Sequence, residues 1–141
     1  MTASADTFVA SPVVAPSTTA RLSAQTSEYH DLIGGGFFVV DVRSQRKRQL
    51  DGVLSGAIAI DAAEVLTRLT PGGTDSLTRA TPDTRWLLVS DDGHEAEWLA
   101  WHLQARGISG AVFLVGGFRA LRRDRVAGLL NSQELASYSA H

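Results

Sequence analysis

The sequence contains no cysteine. That one absence removes disulfides, thiolate metal sites and cysteine nucleophiles together. Long apolar runs are also missing. None approaches the ~20 residues that cross a bilayer, so no membrane partner is expected. Neither sign of charge dominates: 13 basic and 15 acidic groups give a formal net charge of −2. Nucleic acid calls for a basic excess, and none is expected as a partner. No set of His, Asp and Glu has a recognisable metal spacing, so neither a metal nor another cofactor is expected. The first twenty residues, MTASADTFVASPVVAPSTTA, lack a positively charged n-region and carry only short apolar pieces. They read as a flexible tail rather than a signal peptide, and a cytoplasmic location is the expectation.

What is present is enough for one core, since 44% of the 141 residues are apolar. A short helix is expected over residues 25–33, ended by Gly34, Gly35 and Gly36. FFVVDV, residues 37–42, is short, apolar and β-branched, the pattern of a buried parallel strand. Residues 44–51 suit one or two helical turns, and AIAI at 57–60 a second strand. Asp61 can cap a helix over 62–69, where Val65, Leu66 and Leu69 share a face. Residues 70–85 read as loop. WLLVS at 86–90 is the third strand. The helix 94–106 then places Ala96, Leu99, Ala100 and Leu103 on one side, flanked by Trp98, Trp101 and His102, with Trp98 and Trp101 expected in the core or half-buried and an interface role as the alternative. Gly107 is its natural stop. AVFLV at 111–115 is the fourth strand. A helix over 118–125 follows Gly116-Gly117, and a last one is expected over 133–139. Strands alternating with helices imply βαβ units and a mostly parallel sheet covered on both faces. Ligands of such sheets bind beyond the carboxyl ends of the strands, which singles out residues 41–43, 90–95 and 116–117.

These segments carry a resemblance. FFVVDVR, GVLSGA at 52–57, WLLVSDDGHEAEWLAWHL and VFLVGGFRAL follow one another in the order and spacing of a single-domain rhodanese, over about residues 21–124. The resemblance implies a three-layer α/β rhodanese-like domain over 21–126, with a tail at 1–20 and a C-terminal extension at 127–141. It also implies where the chain departs from the sulfurtransferase pattern. Ser90 stands at the position of the nucleophilic cysteine and Glu95 where an arginine is common. Val53 and Ser55 replace a His and a Pro, and Leu121 a Trp. The segment 44–51 is one residue longer than usual.

The departures bear on function. A rhodanese cysteine becomes a persulfide whose anion is held by loop N–H groups and the end of the following helix. A serine cannot form it, and its hydroxyl attacks only when a base activates it. Asp91, Asp92 and Glu95 would repel an anionic donor from Ser90, Gly93 and His94. Asp41 is expected to orient backbone or pair with Arg43, and Arg43 is also a candidate to neutralise the loop. Arg119, Arg122, Arg123 and Arg125 form a solvated face or a docking surface for an acidic partner. The reading is a non-catalytic binding or regulatory module, with a protein partner or self-association through the acidic loop. Two alternatives stand beside it: an enzyme of non-sulfur chemistry using Ser90 and His94, and a sulfurtransferase whose cysteine was replaced in the laboratory.

Overall fold

In the computed structural model, which describes residues 21–126 and 129–130, the apolar segments pair into one parallel sheet. In chain order the elements are β1 (Ser23–Ala24), a 3-10 turn (Thr26–Glu28), α1 (Tyr29–Gly34), β2 (Phe38–Asp41), α2 (Gln45–Asp51), β3 (Val53–Leu54), β4 (Ile58–Ala59), α3 (Ala62–Leu69), β5 (Trp86–Val89), α4 (His94–Ala105), β6 (Ala111–Leu114), α5 (Gly117–Arg123) and β7 (Leu129–Leu130). The main sheet runs β1-β6-β5-β2-β4. Every pairing in it is parallel, including β5 with β6, where Trp86 faces Ala111 and Leu88 faces Phe113.

Period-two alternation divides the core between the two faces of the sheet. Val40, Trp86, Leu88, Ala111 and Phe113 point to one side, where Val65 and Leu69 of α3 and Leu99 and Leu103 of α4 cover them. Val39, Leu87, Val89, Val112 and Leu114 point to the other, under Tyr29 of α1 and Phe118 and Leu121 of α5. The four residues of β5 are completely buried, as a central strand covered on both faces requires.

Within the described residues the expected strands and helices form, with ends that differ by no more than two residues except at α1, which begins four residues later than expected. Three pieces were not expected. Residues 23–24 form an edge strand on β6, and the first half of the expected 25–33 helix is a 3-10 turn. Val53 and Leu54 pair antiparallel with Leu130 and Leu129, a small second sheet outside the main one. Two-residue strands show no periodicity, so only long-range pairing reveals them. The tail at 1–20 and the helix expected over 133–139 lie outside the described residues. Trp98 and Trp101 correct the sequence reading: they are 56% and 59% exposed. The buried stripe of α4 is Ala96, Leu99, Ala100 and Leu103, and both indoles fall outside that arc.

Beyond the carboxyl ends of β2 and β5 the chain winds in opposite directions, from β2 toward β4 and from β5 toward β6. That reversal between neighbouring strands opens the crevice where parallel sheets place ligands.

Candidate functional site

β2 delivers Asp41 and Arg43 to this crevice, and both are buried. Arg43 Nε donates to Asp41 Oδ1 at 3.0 Å and Nη2 to Oδ2 at 2.8 Å, a two-point clasp. The Arg43 backbone N–H donates to the same carboxylate at 3.1 Å, and Nη2 also donates to the Gly52 carbonyl at 3.0 Å. The guanidinium carbon lies 3.6 Å from the centre of the Phe118 ring. The pair therefore ties β2, the α2–β3 turn and α5 together. The expected Asp41–Arg43 partnership is present, and the expectation that Arg43 neutralises the loop carboxylates is corrected.

Tyr29 is buried on the same face. Burial first, and the Asp41 charge second, push its phenol up to about 12. The folded state holds the proton more tightly than an exposed phenol of pKa about 10, so stability declines as pH rises through that interval. In alkaline titration by phenolate absorbance, Tyr29 should resist ionisation until about pH 12 or until unfolding. Tyr29→Phe should remove that late step; an unchanged titration would refute the assignment.

The loop after β5 is closed around Ser90. Its Oγ accepts from the backbone N–H of Gly93 at 3.0 Å and of Ala96 at 3.2 Å, and the residue is 2% exposed. Serine thus caps the first turn of α4 from beneath. Gly93 has φ 97 and turns the chain into the helix. The Gly116-Gly117 turn is pressed onto the same loop: Phe118 N–H donates to the Ser90 carbonyl at 2.8 Å and Arg119 N–H to the Asp91 carbonyl at 3.0 Å.

His94 does not approach the hydroxyl. Its ring is 86% exposed, and Nδ1 lies 3.2 Å from Asp92 Oδ2. Asp92 also accepts from the His94 N–H at 3.0 Å. These two bonds, backbone first, hold its carboxyl below the usual range. A Ser90–His94 dyad is not assembled, because the turn aims one side chain into the core and the other into water.

The three loop carboxylates part company as well. Asp91 lies 2.7 Å from Arg119 Nη2 and 3.7 Å from Lys47 Nζ. Lys47 also meets Asp51 at 3.5 Å, and Arg122 approaches Asp51 at 3.9 Å. Asp91 is thereby compensated inside the chain, while Asp92 and Glu95 stay exposed. Arg119, Arg122 and Arg123 line an open groove on α5. Arg125 lies past the helix end, with a left-handed φ of 54. Sequence reading missed Lys47, whose signal was its place in the basic run directly after the β2 strand end. Among the described residues no group of three or more His, Asp and Glu is arranged to hold a metal, and no helix is long and apolar enough to cross a membrane.

No family model and no curated protein matches the chain. Solved structures do. A Rhodopseudomonas palustris protein of unknown function, a possible tyrosine phosphatase, superposes with a TM-score of 0.68 at 18% identity, over 77% of this chain and 84% of its own. The human single-domain sulfurtransferase gives 0.62 at 17% identity, over 73% and 96%. A rhodanese-like domain protein from Staphylococcus aureus gives 0.58 at 19% identity, over 79% and 98%. With its parallel five-stranded sheet and the loop that joins β5 to α4, the chain has the rhodanese-like α/β fold, without a cysteine anywhere in it.

Proposed function

We propose that this domain is a non-catalytic binding or regulatory module that takes an acidic segment of a partner protein on the basic rim of its degenerate loop. The observation that carries the first half is the buried Ser90 hydroxyl, whose oxygen is occupied by two backbone N–H groups. A nucleophile needs access and a base, and this one has neither beside it. With thiosulfate and cyanide, turnover should equal the protein-free background. Turnover rising in proportion to protein would overturn the reading. Ser90→Cys should remain far slower than a single-domain sulfurtransferase. The two N–H donors favour a thiolate there, so access rather than acidity sets the limit; brisk persulfide formation seen by mass spectrometry would show the position is open.

The second half rests on charge. Arg119, Arg122 and Arg123 have side chains 67%, 57% and 72% exposed, next to Lys47, and the aspartates these cations meet, Asp91, Asp51 and Asp124, leave the rim one positive charge in excess. Such a rim governs association rate and specificity more than net affinity, and binding should weaken with salt, because exposed charges are screened within about 8 Å at physiological ionic strength. The acidic loop is the second reading, supported by the exposed Asp92 and Glu95. Partners recovered from native extract on the wild-type chain separate the two. Arg122→Glu with Arg123→Glu should lose them, whereas Asp91→Asn, Asp92→Asn and Glu95→Gln together should retain them. The opposite pattern would make the acidic loop the docking surface.

A further inference from the structure

Asp91 stands where three elements meet. Its carbonyl accepts from the Arg119 N–H at 3.0 Å, which pins the β5–α4 loop to the first turn of α5. The side chains pair as well: Asp91 Oδ2 lies 2.7 Å from Arg119 Nη2 and 3.7 Å from Lys47 Nζ of α2. Lys47 in turn meets Asp51 at 3.5 Å, and Asp51 meets Arg122 at 3.9 Å. Arg119, Asp91, Lys47, Asp51 and Arg122 thus form a row of alternating sign that begins and ends on a cation. The aspartates are its inner members, 22% and 28% exposed against 43–67% for the cations.

An acidic segment arriving from solvent meets the cations first. Within the row, only Arg119 is already held at hydrogen-bond distance by a carboxylate; the other three contacts are 3.5 Å or longer. Asp91 therefore occupies the place at Arg119 that an incoming carboxylate would take. An exposed pair of this kind is worth a factor of only about 1.4–5 in an equilibrium constant. A segment with several carboxylates gains at Arg122 and Arg123 at the same time, which is enough to displace it.

We propose that Asp91 is a built-in competitor for the partner: its carboxylate holds Arg119 in the free domain and yields that cation to a carboxylate of the partner's acidic segment on binding. This role rests on the basic rim being the docking surface.

A competitor differs from a docking residue in the sign of its removal. The probe is a fluorescein-labelled hexaglutamate peptide, with its affinity for the full chain read by anisotropy at low salt. Asp91→Asn keeps the shape and the backbone carbonyl, and should tighten binding about fivefold. Asp91→Ser, which removes the carboxylate with a different shape, should give the same gain. Asp92→Asn makes the same change in net charge one residue away, on a carboxylate whose bonds go to His94. It should tighten binding by less than about 1.5-fold, the low end for exposed charges.

The coupling with Arg119 is the sharper signature. Arg119→Gln should weaken binding less than about twofold in the wild-type chain, where Asp91 already holds that cation, and about fivefold in Asp91→Asn, where it is open to the peptide. High salt should shrink each difference. No gain from Asp91→Asn, an equal gain from Asp92→Asn, or an equal cost of Arg119→Gln in both backgrounds would overturn the competitor role while leaving the rim as the docking surface. Peptide binding that survives Arg122→Glu with Arg123→Glu, or no binding by any variant, would overturn the rim and the competitor with it.

Discussion

Asp41→Ala should cost about 3–5 kcal/mol of folding stability, because it strands the Arg43 charge in a buried site without its partner. The side chains of Arg43 and Asp41 are 0% and 2% exposed, so water cannot replace the carboxylate without opening the structure. The loss is larger than that of an exposed ion pair, for which about 0.2–1 kcal/mol is usual. It should appear in urea unfolding as a lower midpoint with an unchanged slope. Asp41→Ala combined with Arg43→Met should be less damaging than Asp41→Ala alone, since it removes the stranded charge and leaves only the Gly52 carbonyl without its side-chain donor. A single-substitution cost under about 1 kcal/mol, the range of exposed pairs, would mean that the clasp is not the fastening of β2 to α5 described above.

Gly117→Ala should be comparably severe, about 4 kcal/mol, at the edge of what single substitutions do. Gly117 has φ 61, where a side chain is disfavoured by roughly 1–2 kcal/mol. The larger part is steric. A Cβ there would stand 2.2 Å from the Ser90 carbonyl oxygen, 2.7 Å from Gly93 N and 2.9 Å from the Asp91 carbonyl. All three are backbone atoms of the loop, so no side chain can swing away. Relief requires the α5 start to lift, which breaks the bonds from Phe118 and Arg119 to that loop. Gly72→Ala is the internal comparison. It has φ +88 with nothing within 4 Å of its Cβ position, so it reads the backbone penalty by itself. If the two variants melt alike, the close approach of the Gly-Gly turn to the Ser90 loop is not what the domain depends on.

Layering was legible in the residues because burial on both sides of a parallel sheet leaves a local mark. Four short apolar runs, each followed by helical spacing, state their own secondary structure and order. The Asp41–Arg43 pair was legible for the same reason: residues i and i+2 at a strand end share a face. Position 90 was located by its place after the third run, and the loss of thiol chemistry follows from composition alone. Helix α4 shows where local reading stops. Trp98 and Trp101 flank the apolar stripe, and whether a flank is covered depends on how wide the neighbouring layer is. The α3 and β-sheet contacts take up only the arc centred on Leu99 and Leu103, which leaves the indoles outside.

The sequence by itself determined the fold class, the places of β2, β4, β5 and β6 along the chain and the impossibility of a persulfide. Each of these depends on residue identity or on periodicity over a few residues, which the chain carries in one dimension. Only the tertiary structure decided the character of the loop. Asp91, an apparent member of an acidic cluster, is drawn to Lys47, 44 positions earlier, and to Arg119, 28 positions later. Ser90 and His94, near neighbours in the chain, are sent to opposite environments by a left-handed Gly93. Charge pairing and side-chain direction at a turn are set by which distant segments close over it. Here those segments are α2 and the Gly-Gly start of α5, brought to the same end of the sheet by the parallel crossovers.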